Sequence, residues 1–315
     1  MTAKYAYYPG CSLHSAGSEY DVSFRAVCER LGIRIEEIKG WICCGTSPAH
    51  SSSKLLSLAL PYENLCLAEE MGLRDVVAPC ASCFARLKTA AFEASEDSEL
   101  AGRISEALDK PLPKSMNVLS PLEIFHGREG LVDAVTKELP GLKVACYYGC
   151  LLTRPSKIMQ FDECEYPMAM DELLGSMGIT TLDWSYKTEC CGGALAMTRT
   201  DVVLKLTHDI LDEAVAVGAN AIAVACPLCH VNLDTRQEEV EQKYGVKYGL
   251  PIFYFTQLMA LAMGVPADQL GLKKHFVSAD ELLSALSKDA GTNYRNRMSK
   301  CAAVPAAAKR DTRYE

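Results

Sequence analysis

The chain has 315 residues, of which 49% are hydrophobic and 23% charged, and its formal net charge is −8. This composition is typical of globular proteins and allows one core, or two cores of about 150 residues each. The acidic balance argues against nucleic acid as the main partner. The chain opens without a signal-peptide pattern, and its longest apolar stretch, residues 252–265, is interrupted by Thr256 and Gln257. We therefore expect a cytoplasmic protein with no direct membrane insertion.

The predicted elements of the first half alternate between strands and helices. "KYAYYPG", from Lys4, is typical of a strand. The apolar stripe at Phe24, Val27, Cys28 and Leu31 follows helical spacing and predicts an amphipathic helix. "IRIEEI" then alternates like a second strand and leads into "WICCGTS".

The second half shows the same alternation. A stripe from Val203 to Val217 predicts a helix that Gly218 ends. "AIAVAC" follows as a buried strand that leads to Cys226. Strand–helix alternation predicts an α/β fold with small parallel sheets flanked by helices, and such sheets gather ligand sites at the carboxyl ends of their strands.

Fifteen cysteines set this composition apart. Their number is odd, the chain is long, and the expected compartment is reducing, so a disulfide framework is a poor explanation. Metal binding or redox chemistry explains them better.

Most of the cysteines belong to an internal repeat of a lone cysteine, a Cys-Cys-Gly and a C-x-x-C. Between the lone cysteine and the pair lie 31 residues in the first copy and 39 in the second, and between the pair and the C-x-x-C lie 35 and 34. The boundary between the copies falls near Pro140 and Gly141. The repeat therefore predicts two pseudo-symmetric domains, residues 1–141 and residues 142–315, the second with a C-terminal tail.

Each copy offers five thiols, and that number restricts the metal. Structural zinc and an ordinary [4Fe–4S] cubane each take four protein ligands. Neighbouring side chains on an extended segment point to opposite sides, so Cys43 and Cys44 fit a mononuclear site poorly but can reach different irons of one cluster. The count favours an iron–sulfur cluster with more than four ligand positions, and zinc stays as an alternative.

This double pattern resembles the B subunit of heterodisulfide reductase, and the resemblance covers nearly the whole chain. It implies that each motif binds a noncubane [4Fe–4S] cluster through five cysteines and that a disulfide substrate is cleaved between the two clusters. It also implies a small iron–sulfur subunit and a flavin-containing subunit as partners. The implied ligands are Cys11, Cys43, Cys44, Cys80 and Cys83 for one cluster, and Cys150, Cys190, Cys191, Cys226 and Cys229 for the other.

The electrons for such a reaction must come from a partner. The sequence contains no C-x-x-C-x-x-C run for a ferredoxin-type cubane and no G-x-G-x-x-G for a flavin or nicotinamide. Two alternatives use the same cysteines. One is a Cys-Cys-Gly electron-transfer subunit of a succinate, lactate or glycolate oxidoreductase complex, and the other is a zinc-stabilised scaffold without redox chemistry.

Two histidines lie close to the motifs in sequence. His14 follows Cys11 by three residues, and His230 directly follows Cys229. Either imidazole could donate a proton to a departing thiolate, and the alternative is a structural hydrogen bond.

Two lysines, Lys39 and Lys187, precede the Cys-Cys pairs by four and three residues. They could offset cluster charge, although an exposed loop lysine is the commoner case.

The remaining cysteines give weaker signals. Cys28 and Cys66 have apolar neighbours and are expected to be inert core thiols. Cys146 lies four residues before Cys150, so it either packs in the core or approaches the second cluster. Cys164 carries no readable signal, and Cys301 lies in an Ala/Pro/Lys-rich tail.

Overall fold

The structure, a computed structural model, describes residues 3–46 and 48–286. Within these residues, each half of the chain forms one four-stranded parallel sheet, with strand order β2-β1-β3-β4 in the first half and β6-β5-β7-β8 in the second. Helices flank both sheets. The predicted α/β architecture of two pseudo-symmetric units is thereby confirmed.

The described residues of the first half form four strands and seven helices. They are β1 (Lys4–Tyr7), α1 (Gly10–Leu13), α2 (Ser18–Arg30), β2 (Arg34–Glu37), α3 (Pro48–Ser52), α4 (Lys54–Glu70), β3 (Asp75–Val77), α5 (Ala81–Glu96), α6 (Ser98–Leu108), β4 (Asn117–Leu119) and α7 (Pro121–Phe125).

The second half repeats this scheme with short 3₁₀ turns added. Its elements are β5 (Lys143–Tyr147), α8 (Ser156–Met159), α9 (Ala169–Ser176), β6 (Thr180–Leu182), a 3₁₀ turn (Gly193–Leu195), α10 (Thr200–Ala216), β7 (Ala221–Val224), α11 (Pro227–Thr235), α12 (Gln237–Tyr244), β8 (Ile252–Tyr254), α13 (Phe255–Ala262) and two further 3₁₀ turns (Ala267–Gln269 and Leu272–Lys274). β5 begins just after Gly141, and the division at residues 1–141 and 142–315 stays a prediction.

Local sequence explains the helices that the apolar stripes predict. In α2, Phe24, Val27 and Cys28 are buried on one face. In α10 the stripe that begins at Val203 packs inward, and Gly218 follows the helix with a φ of +84°. This left-handed conformation ends a helix at little steric cost only when the residue is glycine.

The strand order positions the ends of the strands. In the first sheet the chain moves from β1 outward to β2, then crosses back to β3 and β4, so the order reverses between β1 and β3. The second sheet reverses in the same way between β5 and β7. Parallel sheets of this kind leave a crevice at the carboxyl ends of the strands where the order reverses.

The two halves pack against each other through α2 and α13. The Ser23 and Thr256 hydroxyls are 2.7 Å apart across this contact, and both side chains are buried. The ring of Tyr20 stacks on that of Tyr254 with centroids 4.3 Å apart. A buried hydrogen bond and a ring stack therefore connect the first half to the second.

None of the helices in the described part of the chain combines the length and the apolar character needed to cross a bilayer. Cys301 lies outside the described residues.

Candidate functional site

The repeated cysteines follow the carboxyl ends of the strands in both halves. Cys11 follows β1, the pair Cys43 and Cys44 follows β2, and Cys80 follows β3 and directly precedes α5, whose first turn carries Cys83. The second half repeats this placement after β5, β6 and β7 with Cys150, Cys190, Cys191, Cys226 and Cys229.

In the first half, the neighbouring cysteines of the pair turn towards different partners. Cys44 is buried, and its Sγ lies 3.4 Å from the Sγ of Cys83. Cys43 is exposed and contacts the thiol of Cys11. Cys83 also contacts Cys80. The five thiols thus form one group in which the two adjacent cysteines reach different members.

The second half has the same pattern of sulfur contacts. The Sγ of Cys190 lies 3.9 Å from that of Cys150, and the Sγ of Cys191 lies 3.5 Å from that of Cys229. Cys229 in turn contacts Cys226. Each contact has its counterpart in the first half, so the pseudo-symmetry of the sequence extends to the thiols.

The two groups meet at one cavity. The thiols of Cys80 and Cys226, from opposite halves, lie close enough to influence each other's ionisation. All ten repeated cysteines line a single cavity of about 640 Å³. This volume lies in the range of about 300–1,000 Å³ that is usual for small-molecule sites.

A glycine precedes each lone cysteine because a side chain there would collide with a sulfur. Gly10 has a φ of +64°, and a Cβ built on it would lie 2.8 Å from the Sγ of Cys83. Gly149 has a φ of +68°, and its Cβ would lie 3.0 Å from the Sγ of Cys229. Backbone conformation and close approach therefore both require glycine at these positions.

Contacts between thiols favour ionisation of one member of a pair. The hydrogen bond with Cys83 lowers the pKa of Cys44 to about 6, and the hydrogen bond with Cys150 lowers the pKa of Cys190 to about 6. The thiolate is the form of cysteine that binds metal ions.

The donor set of the cavity fits iron–sulfur clusters. Among the described residues that line it there is no carboxylate, so sulfur dominates. Five thiols in each group exceed the four ligands of a structural zinc. Thiolate sulfur is the usual ligand of iron–sulfur clusters, so the residues present fit one cluster in each half.

Neither predicted histidine lines the cavity. His14 is half exposed, with Nε2 3.3 Å from a carboxylate oxygen of Glu37. His230 is buried, its Nε2 lies 3.1 Å from the carbonyl oxygen of Ile252, and burial lowers its pKa to about 3. This placement favours a structural role for both rings, while the proton-donor role stays a prediction.

The two lysines before the Cys-Cys pairs differ sharply. Lys39 is exposed, as is usual for a loop lysine. Lys187 is fully buried, and its Nζ lies 2.8 Å from a carboxylate oxygen of Asp171. Lys187 therefore forms a buried ion pair, which the sequence did not indicate.

Cys146 is also buried, contacts Asp171 and does not line the cavity, so its surroundings agree with core packing.

Cys28 and Cys66 are buried as expected. Burial raises the pKa of Cys28 to about 12 and that of Cys66 to about 11. Both thiols are therefore protonated at neutral pH.

Sequence reasoning missed other residues of the site. His50 and Arg86 line the cavity. The hydroxyls of Tyr8 and Tyr147 donate to the backbone just before the Cys-Cys pairs. The paired tyrosines of "YYPGC" and "YYGC" were a signal for the last two, whereas no repeated pattern marks Arg86.

The sequence matches the CCG cysteine-rich domain family twice, at residues 5–88 and 144–234. Each match includes the lone cysteine, the pair and the C-x-x-C of one half. A solved structure of a hypothetical protein from Helicobacter pylori shares the fold, with a TM-score of 0.71 over 87% of this chain at 12% identity. The chain spans about half, 52%, of that protein's length.

Two curated relatives match along most of this chain. It is 32% identical to the 8-methylmenaquinol:fumarate reductase membrane anchor subunit of Wolinella succinogenes, over 90% of this chain and 100% of that one. It is 31% identical to the B subunit of the ferredoxin:CoB-CoM heterodisulfide reductase of Methanosarcina mazei, over 90% and 97%. A lactate utilization protein A of Bacillus thuringiensis is 23% identical over 70% and 86%. The chain belongs to the family of iron–sulfur oxidoreductase subunits with two CCG cysteine-rich domains, which includes the B subunits of heterodisulfide reductases.

Proposed function

We propose that the chain is the catalytic iron–sulfur subunit of a heterodisulfide reductase-like complex and reduces a disulfide to two thiols. The observation that carries this proposal is that all ten repeated thiols line one cavity. Since five of them come from each half, a disulfide bound in the cavity lies between two metal sites. Relatives named as heterodisulfide reductase B subunits support the same assignment.

The proposed cofactors are two noncubane [4Fe–4S] clusters. Cys11, Cys43, Cys44, Cys80 and Cys83 would hold one, and Cys150, Cys190, Cys191, Cys226 and Cys229 would hold the other. When bound, the clusters supply the electrons for the reduction.

The chain itself binds and orients the disulfide. Cleavage of RS–SR′ takes up two electrons and two protons and yields RSH and R′SH. The cavity brings the S–S bond to the walls of both halves, and the buried strand ends behind it keep these walls in place. His14 and His230 stay candidates for the proton donors, and full turnover across the pH range in both His14→Gln and His230→Gln would exclude that role.

The electrons for this reaction come from partners. The sequence carries no motif for a ferredoxin-type cubane, a flavin or a nicotinamide. We propose a small iron–sulfur subunit as the immediate donor, which in turn receives its electrons from a flavin-containing subunit. Co-purification of such subunits with the tagged chain from its native host tests this part.

A second candidate function follows from the Wolinella succinogenes relative, which is named as a membrane anchor subunit of a fumarate reductase. In that case the chain is a Cys-Cys-Gly electron-transfer subunit of a succinate, lactate or glycolate oxidoreductase complex. It would then pass electrons without cleaving a disulfide.

One anaerobic assay separates the two functions. The purified chain, with dithionite-reduced methyl viologen as electron donor, is mixed with a panel of disulfides, and viologen oxidation and thiol release are measured together. We expect two thiols for every two viologen radicals oxidised. An iron-loaded chain that reduces no disulfide, but restores electron transfer to a fumarate, lactate or glycolate complex lacking it, would reverse the assignment.

A further inference from the structure

The wall of the cavity is asymmetric once the cysteines are set aside. The first half contributes mainly polar side chains, namely Ser12, Thr46, His50, Ser51, Ser82 and Arg86. The second half contributes mainly apolar surface, namely Tyr148, Leu151, Gly193, Ala194 and Leu228. The hydroxyl of Tyr148 is engaged by Asp171 at 2.7 Å, which adds to the apolar character of that side.

Arg86 is the permanently charged side chain among the described residues of this wall. It lies on α5, three residues after Cys83. Its Nε is buried without a hydrogen-bond partner, and its Nη1 lies 3.4 Å from Nδ1 of His50. Within residues 3–46 and 48–286, Arg86 has no carboxylate in ion-pair contact. A buried guanidinium N–H without an acceptor is costly unless a ligand supplies one.

The residue at the equivalent position in the second half makes an internal hydrogen bond instead of lining the cavity. Asn232 follows Cys229 by three residues, as Arg86 follows Cys83. The Nδ2 of Asn232 donates to the carbonyl oxygen of Cys191 at 2.9 Å, inside the protein. The pseudo-symmetry of the two halves therefore breaks at this position, where an internal amide is replaced by a cation at the cavity wall.

We propose that Arg86, with His50 beside it, binds an anionic group on the substrate, so that the anionic arm of the disulfide lies over the first half and an uncharged arm lies over the second. This inference rests on the proposed function. A planar guanidinium suits carboxylate, sulfonate and phosphate oxygens. Arg86 thereby sets both the substrate class and the direction in which a mixed disulfide binds.

A rival role for Arg86 is to offset the negative charge of the metal site, since it lies close enough to Cys44 to interact with it electrostatically. The two roles predict different results. Charge compensation affects every substrate equally and shifts the midpoint potential of the first cluster. Anion recognition affects only substrates that carry a negative charge.

The test compares 3,3′-dithiodipropionate with bis(2-hydroxyethyl) disulfide, which differ in charge at similar size. Binding to the iron-loaded chain is measured by calorimetry without reductant, and KM is measured with reduced methyl viologen, which supplies the two electrons. We expect Arg86→Gln to weaken binding and raise KM for the dicarboxylate by about 10- to 100-fold. The same variant should change both values for the uncharged disulfide less than about twofold.

Two further variants complete the design. Arg86→Lys keeps the charge and should recover part of the dicarboxylate affinity. Lys54→Gln removes the same charge from an exposed side chain that does not line the cavity, and should change neither substrate. If Arg86→Gln does not retain iron, the wild-type chain and Arg86→Lys still decide the matter: no preference for the dicarboxylate in either would overturn the proposal.

The outcomes also separate this inference from the proposed function. Equal losses for both disulfides in Arg86→Gln would refute anion recognition and leave disulfide reduction standing. A wild-type chain that reduces neither disulfide, yet binds the dicarboxylate through Arg86, would refute disulfide reduction and support the anion site. A sulfonated disulfide added to the panel distinguishes a sulfonate from a carboxylate preference.

Discussion

The hydroxyl of Tyr8 donates a hydrogen bond of 2.8 Å to the carbonyl oxygen of Ile42, the residue just before the Cys43–Cys44 pair. Tyr147 makes the equivalent bond, 2.5 Å, to the carbonyl oxygen of Glu189, just before Cys190–Cys191. Both rings are buried and lie beside the thiols of their own half. Each tyrosine therefore connects the strand that leads to the lone cysteine with the loop that carries the pair.

Replacing either tyrosine by phenylalanine should loosen one pair of cysteines. We expect Tyr8→Phe and Tyr147→Phe each to cost about 1 kcal/mol of unfolding free energy, because a part-buried hydrogen bond to the backbone is lost. Iron bound per chain should also fall. Tyr62→Phe is the matched control, since Tyr62 donates a similar bond of 2.9 Å to the carbonyl oxygen of Pro113, away from the ten repeated cysteines. Iron loss in Tyr62→Phe as large as in Tyr8→Phe would contradict this explanation.

The buried ion pair of Lys187 and Asp171 should be essential for stability. Asp171 also accepts a hydrogen bond from the hydroxyl of Tyr148. Lys187→Met would leave this buried carboxylate without its cation. We expect a loss of about 3–5 kcal/mol in urea unfolding, partly recovered in the double variant with Asp171→Leu. Lys39→Met, at the exposed lysine that precedes the other Cys-Cys pair, should change stability by less than about 0.5 kcal/mol. Equal stability of the two single variants would show that the pair contributes nothing.

His275 should contribute to acid sensitivity. Burial lowers its pKa to about 4 in the folded protein, whereas an unfolded chain has a histidine pKa of about 6.5. Because the unfolded state gains the proton first, the stability that neutral His275 contributes is complete above about pH 6.5 and is lost as the pH falls towards 4. Between pH 7 and pH 5, the unfolding free energy of His275→Gln, measured by urea unfolding, should therefore fall by about 2 kcal/mol less than that of the wild type. If the unfolding free energy of both proteins fell equally with pH, the pKa of His275 would be the same in the folded and unfolded states, which would contradict this prediction.

The cysteines outside the motifs should differ in reactivity. The pKa values of Cys28, Cys66 and Cys164 are all raised, but Cys28 and Cys66 are buried whereas Cys164 is partly exposed. Native alkylation at pH 8 followed by mass spectrometry should modify Cys164 first and leave Cys28 and Cys66 intact, since fewer than about one in a hundred of these thiols is ionised. Labelling of Cys28 at the rate of Cys164 would contradict the burial of that helix face.

Sequence patterns predicted the fold and the grouping of thiols because both depend on local, repeated features. Strand–helix alternation indicated the parallel sheets, and the repeat grouped the thiols at the strand ends. Gly10 and Gly149 could be identified for the same reason, since glycine alone tolerates their backbone conformation beside a sulfur.

Such patterns did not predict the direction of individual side chains or the contacts between residues that are distant in sequence. His230 follows Cys229 directly, but consecutive residues of a helix do not share a face, so its ring turns to Ile252 while the thiol faces the cavity. The burial of Lys187, in the loop after β6, depends on Asp171, which lies on α9. These relationships arise from tertiary packing, which no local spacing encodes.

The most direct test of the central claim is anomalous diffraction at the iron edge from crystals of the anaerobically purified chain. We expect two groups of four iron atoms at the cavity, each bound by the five thiols of one half, with Cys43 and Cys44 both ligating the first group. A single zinc in each half, four-ligand cubanes, or a structure in which the sulfur of Cys43 or Cys44 points away from the metal would contradict it.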